Sequence, residues 1–272
     1  MSGISLSAGV RQNLLSLQET ANLLSQTQNR LATGKKVNSA LDNPNSYFTA
    51  QGLSNRASDL SNLLDGITNG INTIQAANNG ISAITKLVQS AQSLVTQAQQ
   101  TTDATIRASL AAQYDSTLTQ IDQLSADSGY NGTNLLGNND LTVTLNETGT
   151  STATVTSVDD TTGGDLAIGA AQSAWAGNTD IAAAATDLTA ALTTLRSQSA
   201  ALGSGLATIQ IRADFTKATI NTLQTGSDAL TVADSNEEGA NLLALQTRQS
   251  LSTTALSLSA QSDRNVLKLF GG

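Results

Sequence analysis

The chain has 272 residues, of which 39% are hydrophobic but only 3% aromatic and 12% charged, and it contains neither His nor Cys. Its net charge of −8 argues against nucleic-acid binding, which needs a basic surface. The missing imidazoles and thiols remove the commonest general base, nucleophile and metal ligands, so we predict no enzyme activity, no cofactor and no metal site. The expected fold is one of long helices packed closely through Leu and Ala.

Residues 1–33 carry the seam of a coiled coil. Its positions alternate in steps of four and three residues and are Val10, Leu14, Leu17, Ala21, Leu24, Gln28 and Leu31. This period of about 3.5 residues is typical of helices that pack lengthwise. The stripe cannot be buried by its own helix, so the helix needs a partner.

A polar linker follows at residues 34–44. Asn43 is a suitable N-cap and Pro44 a suitable first helical residue, so a second helix is expected to begin there. Apolar residues then recur at helical spacing to about Gln100, which predicts a helix of roughly 80 Å. A third helix is expected from Asp103, and the sequence that begins at Tyr130, Tyr-Asn-Gly-Thr, predicts a tight turn after it.

Several glycines lie within predicted helices, although each costs about 1 kcal/mol relative to Ala. In the long second helix they are Gly52, Gly66, Gly70 and Gly80. We expect this repeated placement to reflect close approach of a neighbouring helix. The later sequence Gly-Ser-Gly at 203–205 is interpreted as a packing notch, because it is part of no phosphate-binding motif.

The composition changes in segment 138–177. Residues 141–145 and 153–158 alternate with period two and are rich in β-branched side chains, which predicts a β-hairpin. The segment is too short for a large core of its own, so we expect a short, solvent-exposed, β-rich insert with Trp175 packing at its base. Its acidic loop 159–165 lacks the ligand pattern of a calcium site. The candidates for O-linked glycosylation are Ser151, Thr152, Thr154, Thr161 and Thr162.

Helical periodicity returns from about residue 179 to 230, and Ser235 with Glu238 resembles a capping box that opens a terminal helix. That helix has a leucine-rich face which, like the stripe on residues 1–33, its own helix cannot bury. We therefore expect the two ends to pack against each other and against neighbouring copies of the chain. The predicted assembly interface consists of Val10, Leu14, Leu17, Leu24, Leu31, Leu242, Leu245, Leu256, Val266, Leu269 and Phe270, with Leu243, Leu251, Leu258 and Leu267 widening the face.

Neither a membrane span nor a cleaved secretory signal is visible. The sequence has no run of about 18 apolar residues, so we expect no membrane insertion. Its first residues, MSGISLSAGVRQ, lack the basic start and apolar core of a secretory signal. If the protein is exported, we expect a different export route.

Three motifs resemble bacterial flagellin. The linker matches the family pattern Gly-x-(Arg/Lys)-(Ile/Val)-Asn-Ser-Ala-x-Asp through Gly34, Lys36, Val37, Asn38, Ser39, Ala40 and Asp42. Residues 130–136 resemble the family's aromatic-Asn-Gly turn before a Leu pair, and residues 265–269 resemble its closing Asn-Val-Leu-x-Leu. The resemblance covers about 1–137 and 178–272, whereas the insert carries no family signal.

This resemblance implies a mainly α fold, an elongated antiparallel helical bundle or coiled coil folded back on itself with a small β-hairpin insert. Residues 1–33 and 234–272 would form the terminal coiled-coil layer called D0. Residues 34–44 and 231–233 would be linkers, and 45–137 with 178–230 would form the helical rod called D1. The insert 138–177 would face solvent.

The resemblance also implies a function. The chain would be a structural subunit of the bacterial flagellar filament, exported by the flagellar type III pathway and self-assembling outside the cell into a helical polymer that acts as the propeller for motility. Its partners would be copies of itself, an export chaperone, the filament cap and hook-junction proteins. A flagellar hook–filament junction protein is the alternative, because it shares the helical ends. A coiled-coil adhesin is less favoured, since the sequence shows neither an anchor nor a secretory signal.

Overall fold

The computed structural model describes residues 8–270, except for the side chains of Asp263 and residues 266–270. Its elements in chain order are α1 (Ala8–Thr33), α2 (Pro44–Gln99), α3 (Ala104–Asp127), β1 (Leu141–Thr144), β2 (Thr152–Val155), a short turn of 3-10 helix (Gln172–Trp175), α4 (Asn178–Thr231) and α5 (Ser235–Phe270). The predicted mainly α fold with a small β-hairpin is confirmed. The chain forms two compact units, a terminal unit (1–55 and 222–272) and a central unit (56–221).

Two predicted helix starts are confirmed by their caps. The N–H of Ser46 donates to Asn43 Oδ1 at 3.1 Å, and Pro44 occupies the first helical position of α2. Asp103 caps α3, because its Oδ1 accepts the N–H groups of Thr105 at 2.8 Å and Ile106 at 3.1 Å. These side-chain acceptors satisfy backbone donors that have no partner within their own helix.

The capping box predicted at Ser235 and Glu238 is wrong. The Oδ1 atom of Asp234 accepts the N–H groups of Asn236 at 2.8 Å and Glu237 at 3.3 Å, so Asp234 is the N-cap of α5. A carboxylate accepts these bonds more strongly than a hydroxyl, since its charge also interacts with the positive end of the helix dipole. Glu238 is thereby free to form an ion pair with α1.

An apolar core runs along α2, α3 and α4 in the central unit. Its fully buried members include Ile67, Ile74, Ile84, Tyr114, Ile121, Ile181, Leu188 and Leu195. The ring of Tyr114 lies 5.0 Å from that of Trp175, and its hydroxyl donates to Gly169 O at 3.1 Å. The predicted packing of Trp175 at the base of the insert is therefore confirmed.

The insert packs one face onto this core. Strands β1 and β2 are antiparallel with Leu141 opposite Val155 and Val143 opposite Ala153. The side chains of Val143 and Val155 are buried in the core of the central unit, as are Leu166 and Ile168 further along the insert. Because side chains alternate between the faces of a strand, the outer face of β2 exposes threonines. Solvent exposure of the insert is therefore limited to its outer face.

Two glycines of the long helix allow another segment to approach closely, β1 of the insert at Gly70 and the end of α3 at Gly80. A Cβ at Gly70 would lie 2.6 Å from Val143 Cγ2 of β1. A Cβ at Gly80 would lie 2.7 Å from Ser128 Cβ and 2.8 Å from a methyl of Leu136. Gly66 faces open space. The expected helix–helix approach is therefore wrong at Gly70, which contacts β1, and at Gly52 and Gly66, which have no close neighbour. At Gly80 the close neighbours are the C-cap residue of α3 and Leu136.

Gly80→Ala is expected to destabilise the chain by about 1–3 kcal/mol, because its methyl overlaps the fixed Cβ of Ser128 in a packed core. Gly66→Ala, the matched control on the same helix, is expected to stabilise it by about 0.5–1 kcal/mol through better helix propensity. Urea unfolding followed by circular dichroism measures both. Equal and favourable effects of the two substitutions would show that the contact at Gly80 does not constrain the fold.

Candidate assembly surface

The terminal unit is built on a lengthwise contact between α1 and α5. On α1 the buried residues are Val10, Thr20 and Thr27, with Leu17 and Leu24 half-buried between them. These positions repeat in steps of seven residues, which is the period of a coiled-coil contact. Of the predicted seam residues, only Val10, Leu17 and Leu24 therefore lie on the face that contacts α5.

The remaining seam positions lie beside the contact rather than in it. Leu14 is 39% exposed and Leu31 is 40% exposed, and Ala21 and Gln28 are also exposed. Threonines take their place because a Thr hydroxyl can bond to its own helix, as Thr20 Oγ1 does to Ser16 O at 2.8 Å, leaving its methyl group to pack. The contact is thus less apolar than the sequence predicted.

On α5 the face toward α1 has the same period. Its half-buried residues are Leu242, Leu245, Gln249, Ser252, Leu256 and Ser259. Three of the leucines singled out in the sequence therefore lie on this face. The side chains of Val266, Leu269 and Phe270 lie outside the described part of the chain.

A second set of leucines on the same two helices stays in water. Their exposed fractions run from 39% to 70%, and they are Leu14, Leu15, Leu23, Leu31, Leu243, Leu251 and Leu258. On α5, Leu251 and Leu258 lie one heptad apart and therefore on one side of the helix. Large apolar side chains exposed at this density mark a protein contact surface.

An ion pair joins the end of α1 to the start of α5. Arg30 Nη1 lies 3.0 Å from Glu238 Oε1, with the Glu238 side chain 9% exposed. Arg30 sits in the last turn of α1 and Glu238 in the first turn of α5, where each charge interacts favourably with its helix dipole. A cavity of about 320 Å³ beside the pair is lined by both residues, by Leu23 and Leu245, and by Arg248.

The linker residues of the flagellin-like motif are folded. The N–H of Lys36 donates to Thr231 O at 2.8 Å, and the N–H of Ala233 donates to Gly34 O at 2.9 Å, so the two linkers pair through their backbones. Gly34 ends α1 with a φ of 69°, a conformation that glycine adopts without steric cost. The ammonium group of Lys36 also donates to Ala229 O at 2.9 Å.

The polar residues of the motif form one turn. Asp42 Oδ2 accepts the N–H groups of Asn38 and Ser39, each at 2.9 Å, and the Ser39 hydroxyl at 3.2 Å. These backbone hydrogen bonds, Ser39 first and Asn38 second, lower the pKa of Asp42 below its ordinary value. The Asn38 amide donates to Thr33 Oγ1 at 2.8 Å, which ties the turn to the end of α1.

The candidate glycosylation residues differ in accessibility. Thr152 and Thr154 are exposed on β2. Ser151 is half-buried, and the hydroxyls of Thr161 and Thr162 donate to Asp159 Oδ1 at 2.8 Å and Asp122 Oδ2 at 3.0 Å. O-linked glycosylation stays a prediction, with the two exposed threonines as its favoured positions.

Comparison with known proteins identifies the family. A model of the bacterial flagellin N-terminal helical region matches residues 4–140, half of the chain. The chain belongs to the bacterial flagellin family. This family consists of structural proteins, so the prediction of a non-enzymatic flagellin is confirmed. Within residues 8–270, no helix is both long and apolar enough to cross a membrane.

Relatives extend the match beyond that region. Flagellin FljM of Caulobacter vibrioides is 31% identical over 276 residues, which cover 99% of this chain and 99% of the relative. Flagellin A of Rhizobium meliloti is 41% identical over 97 residues, which cover 36% of this chain but only 24% of that longer relative. The crystal structure of Bacillus cereus flagellin is 20% identical and aligns with a TM-score of 0.47 over 57% of this chain and 88% of that one.

Proposed function

We propose that this chain is a structural subunit of the flagellar filament and that copies of it form an extracellular helical polymer that acts as a propeller. The observation that carries the proposal is the set of seven exposed leucines on α1 and α5. Burying their exposed surface contributes about 1–2 kcal/mol per residue, and further copies of the same helix pair would provide that burial. The full-length similarity to Flagellin FljM supports the same function.

In this proposal residues 1–33 and 234–272 form the inner layer D0, and 45–137 with 178–230 form the surrounding rod D1. The backbone pairing of 34–44 with 231–233 supports a connector between them. The outer face of 138–177, with its exposed threonines, faces solvent. The assembly contacts are head-to-tail and do not close, which produces a filament rather than a ring. Of the residues predicted from the sequence, Leu14, Leu31, Val266, Leu269 and Phe270 are proposed to make these contacts, together with the exposed Leu15, Leu23, Leu243, Leu251 and Leu258. The others, Val10, Leu17, Leu24, Leu242, Leu245 and Leu256, are proposed to support assembly by holding α1 against α5.

Export through the flagellar type III pathway, an export chaperone, a filament cap and hook-junction proteins belong to the same proposal. The hook–filament junction protein is the alternative that must be separated from it. Electron microscopy of the purified chain after salt-induced polymerisation separates the two. A filament subunit is expected to give long helical filaments from this chain alone, whereas short or no polymers at high concentration would favour the junction protein.

Limited proteolysis is expected to cleave within both α1 and α5 in the monomer and to spare the same sites in the filament. The reason is that α1 buries only Val10, Thr20 and Thr27, whereas seven leucines on α1 and α5 stay exposed, so a lone pair of helices is weakly held. Mass spectrometry of the fragments measures the effect, and the monomer is expected to yield a stable fragment spanning the central unit. Equal protection of the ends in monomer and filament would contradict ordering on assembly.

A further inference from the structure

Asp160 is a buried acid without a hydrogen-bond partner. It lies in the loop 159–165 after β2, its exposed fraction is 0%, and neither carboxyl oxygen is hydrogen-bonded. Its N–H donates to Leu136 O at 3.1 Å, which holds Asp160 against the segment that follows α3. An ionised carboxylate in this position loses its hydration, and the one amide of Gln198 replaces only part of it, so the neutral acid is favoured.

The groups around Asp160 add no positive charge. Asp159 and Asp165 lie in the same loop, and Asp165 Oδ2 accepts the N–H of Asp159 at 3.1 Å. Asp122 on α3 binds the loop through Thr162. On α4 the polar group that acts on Asp160 is the neutral amide of Gln198, whose Oε1 is buried without a donor. Burial raises the pKa of Asp160 to about 6, Asp165 and Asp159 act in the same direction, and the Gln198 amide opposes them.

The amide of Gln198 is suited to either form of the acid. A neutral carboxyl group can donate its O–H to Gln198 Oε1, and an ionised one can accept from the amide N–H₂. In the neutral form a single hydrogen bond, from the Asp160 O–H to Gln198 Oε1, would give both of these unpartnered oxygens a partner. In the ionised form the second carboxylate oxygen stays buried without a donor. The neutral arrangement is therefore the better satisfied of the two.

We propose that Asp160 and Gln198 form a proton-dependent clasp that holds the loop 159–165 against α4. With the proton on Asp160 the clasp is closed, and loss of the proton loosens the loop. Nothing in this proposal depends on filament formation, because the loop and α4 contact each other within one central unit. It concerns the stability of the insert and predicts that mild acid tightens it.

The direction of the pH dependence follows from the pKa values. The ordinary pKa of the acid is 3.8 and the folded value is about 6. Between about pH 4 and 6 the closed loop holds a proton that the open loop releases, so closure weakens as the pH rises, by roughly 100-fold in all. Above about pH 6 both forms are ionised and closure changes no further. Asp140 has the opposite pH dependence, because hydrogen bonds from Ser157 lower its pKa. Its contribution to the stability of the fold is lost only at lower pH, as the pH falls toward its folded pKa.

Hydrogen exchange of the full-length monomer tests the clasp. Amide protection of residues 159–168, corrected for the intrinsic pH dependence of exchange, is expected to fall by roughly 25-fold between pH 4.5 and 7.5 and to level off above about pH 6. Asp160→Asn keeps the shape of the neutral acid and is expected to give strong, pH-independent protection. Asp59→Asn, which removes an exposed acid from α2, should keep the wild-type profile.

A direct titration keeps the proposal testable if Asp160→Asn does not fold. The carboxyl carbon of Asp160 in the wild-type chain is followed by NMR, and its midpoint is expected near pH 6. Gln198→Leu, which removes the amide, is expected to weaken protection below pH 6 at least 10-fold. A wild-type midpoint at or below pH 4, or a loop whose protection does not change with pH, would overturn the proposal.

Discussion

Leu258→Asp is expected to abolish filament formation and to leave the subunit folded. Leu258 is 70% exposed on α5, away from the half-buried face toward α1, so the substitution removes no contact within the subunit. In the proposed polymer the same side chain is buried by a neighbouring copy. The lost leucine removes about 1–2 kcal/mol of burial, and an aspartate placed in an apolar contact costs several kcal/mol more.

Because about 1.4 kcal/mol changes an equilibrium tenfold, the critical concentration for polymerisation is expected to rise at least 100-fold. Pelleting of polymer over a concentration series measures it, and circular dichroism of the supernatant checks that the subunit is folded. Ser257→Asp is the matched control, since it adds the same charge at the neighbouring exposed position without removing a leucine. If both variants polymerise like the wild type, the exposed leucines are not the assembly surface.

Leu17→Asp tests the other face of the same helix pair. Leu17 is half-buried in the α1–α5 contact, so its replacement is expected to disrupt both the pair and the polymer while the central unit remains helical. Comparison with Leu258→Asp separates the two roles of the apolar side chains. Leu258→Asp should keep the α1–α5 contact, and Leu17→Asp should lose it.

The fold was predictable where the signal is local. The caps at Asn43 and Asp103 and the period-two strands depend on neighbouring residues, and each is present in the structure. The turn at Asn131–Gly132 is present as well, with φ angles of 49° and 83° that such a turn requires. Propensity and periodicity act over a few residues, so the sequence carries that information directly.

The side chains facing each other across elements were not predictable in the same way. A hydrophobic pattern assigns Leu14 to the α1 seam and Thr20 to the outside, whereas the structure exposes Leu14 and buries Thr20. The two alternatives differ by a rotation of the helix of one residue. The hydrophobic pattern favours the leucine because it ignores the hydrogen bond that the Thr20 hydroxyl donates to Ser16 O. The neighbours of the helix glycines were unpredictable for the same reason. Nothing in the sequence around Gly70 indicates that the distant Val143 packs against it.

Two buried polar residues had no detectable pattern at all. Asp160 stands in an acidic loop that resembles solvent-exposed loops, and Arg107 stands alone in a helix with mostly apolar and small neighbours. The environment of each includes residues far away in the sequence, such as Gln198 for Asp160 and Ala176 for Arg107. Only the three-dimensional arrangement reveals that both are buried.

Arg107 is expected to be the most sensitive single position in the central unit. Its side chain is 6% exposed, and its Nε donates to Thr101 O at 2.7 Å and Ala98 O at 3.2 Å. One terminal nitrogen donates to Asn178 Oδ1 at 2.6 Å and the other to Ala176 O at 3.4 Å. The guanidinium therefore joins the end of α2, the exit of the insert and the start of α4.

The acceptors explain how a buried cation is tolerated without a carboxylate. Ala98 O lies in the last turn of α2, where carbonyls lack partners within the helix and the helix dipole is negative, and Thr101 O lies two residues beyond the end of that helix. The charge of Arg107 is thus balanced by several partial charges. The planar guanidinium reaches all four acceptors at once, which the single ammonium group of a lysine cannot do.

Arg107→Met is expected to destabilise the chain by about 3–5 kcal/mol, because it leaves three carbonyls and the Asn178 amide oxygen buried without donors. Arg107→Lys keeps the charge but loses the planar geometry, and a loss of about 1–3 kcal/mol is expected. Arg212→Met removes an exposed arginine from α4 and should change stability by less than about 0.5 kcal/mol. Urea unfolding at neutral pH measures all three, and equal stabilities of the Met variants would show that the network around Arg107 contributes nothing to folding.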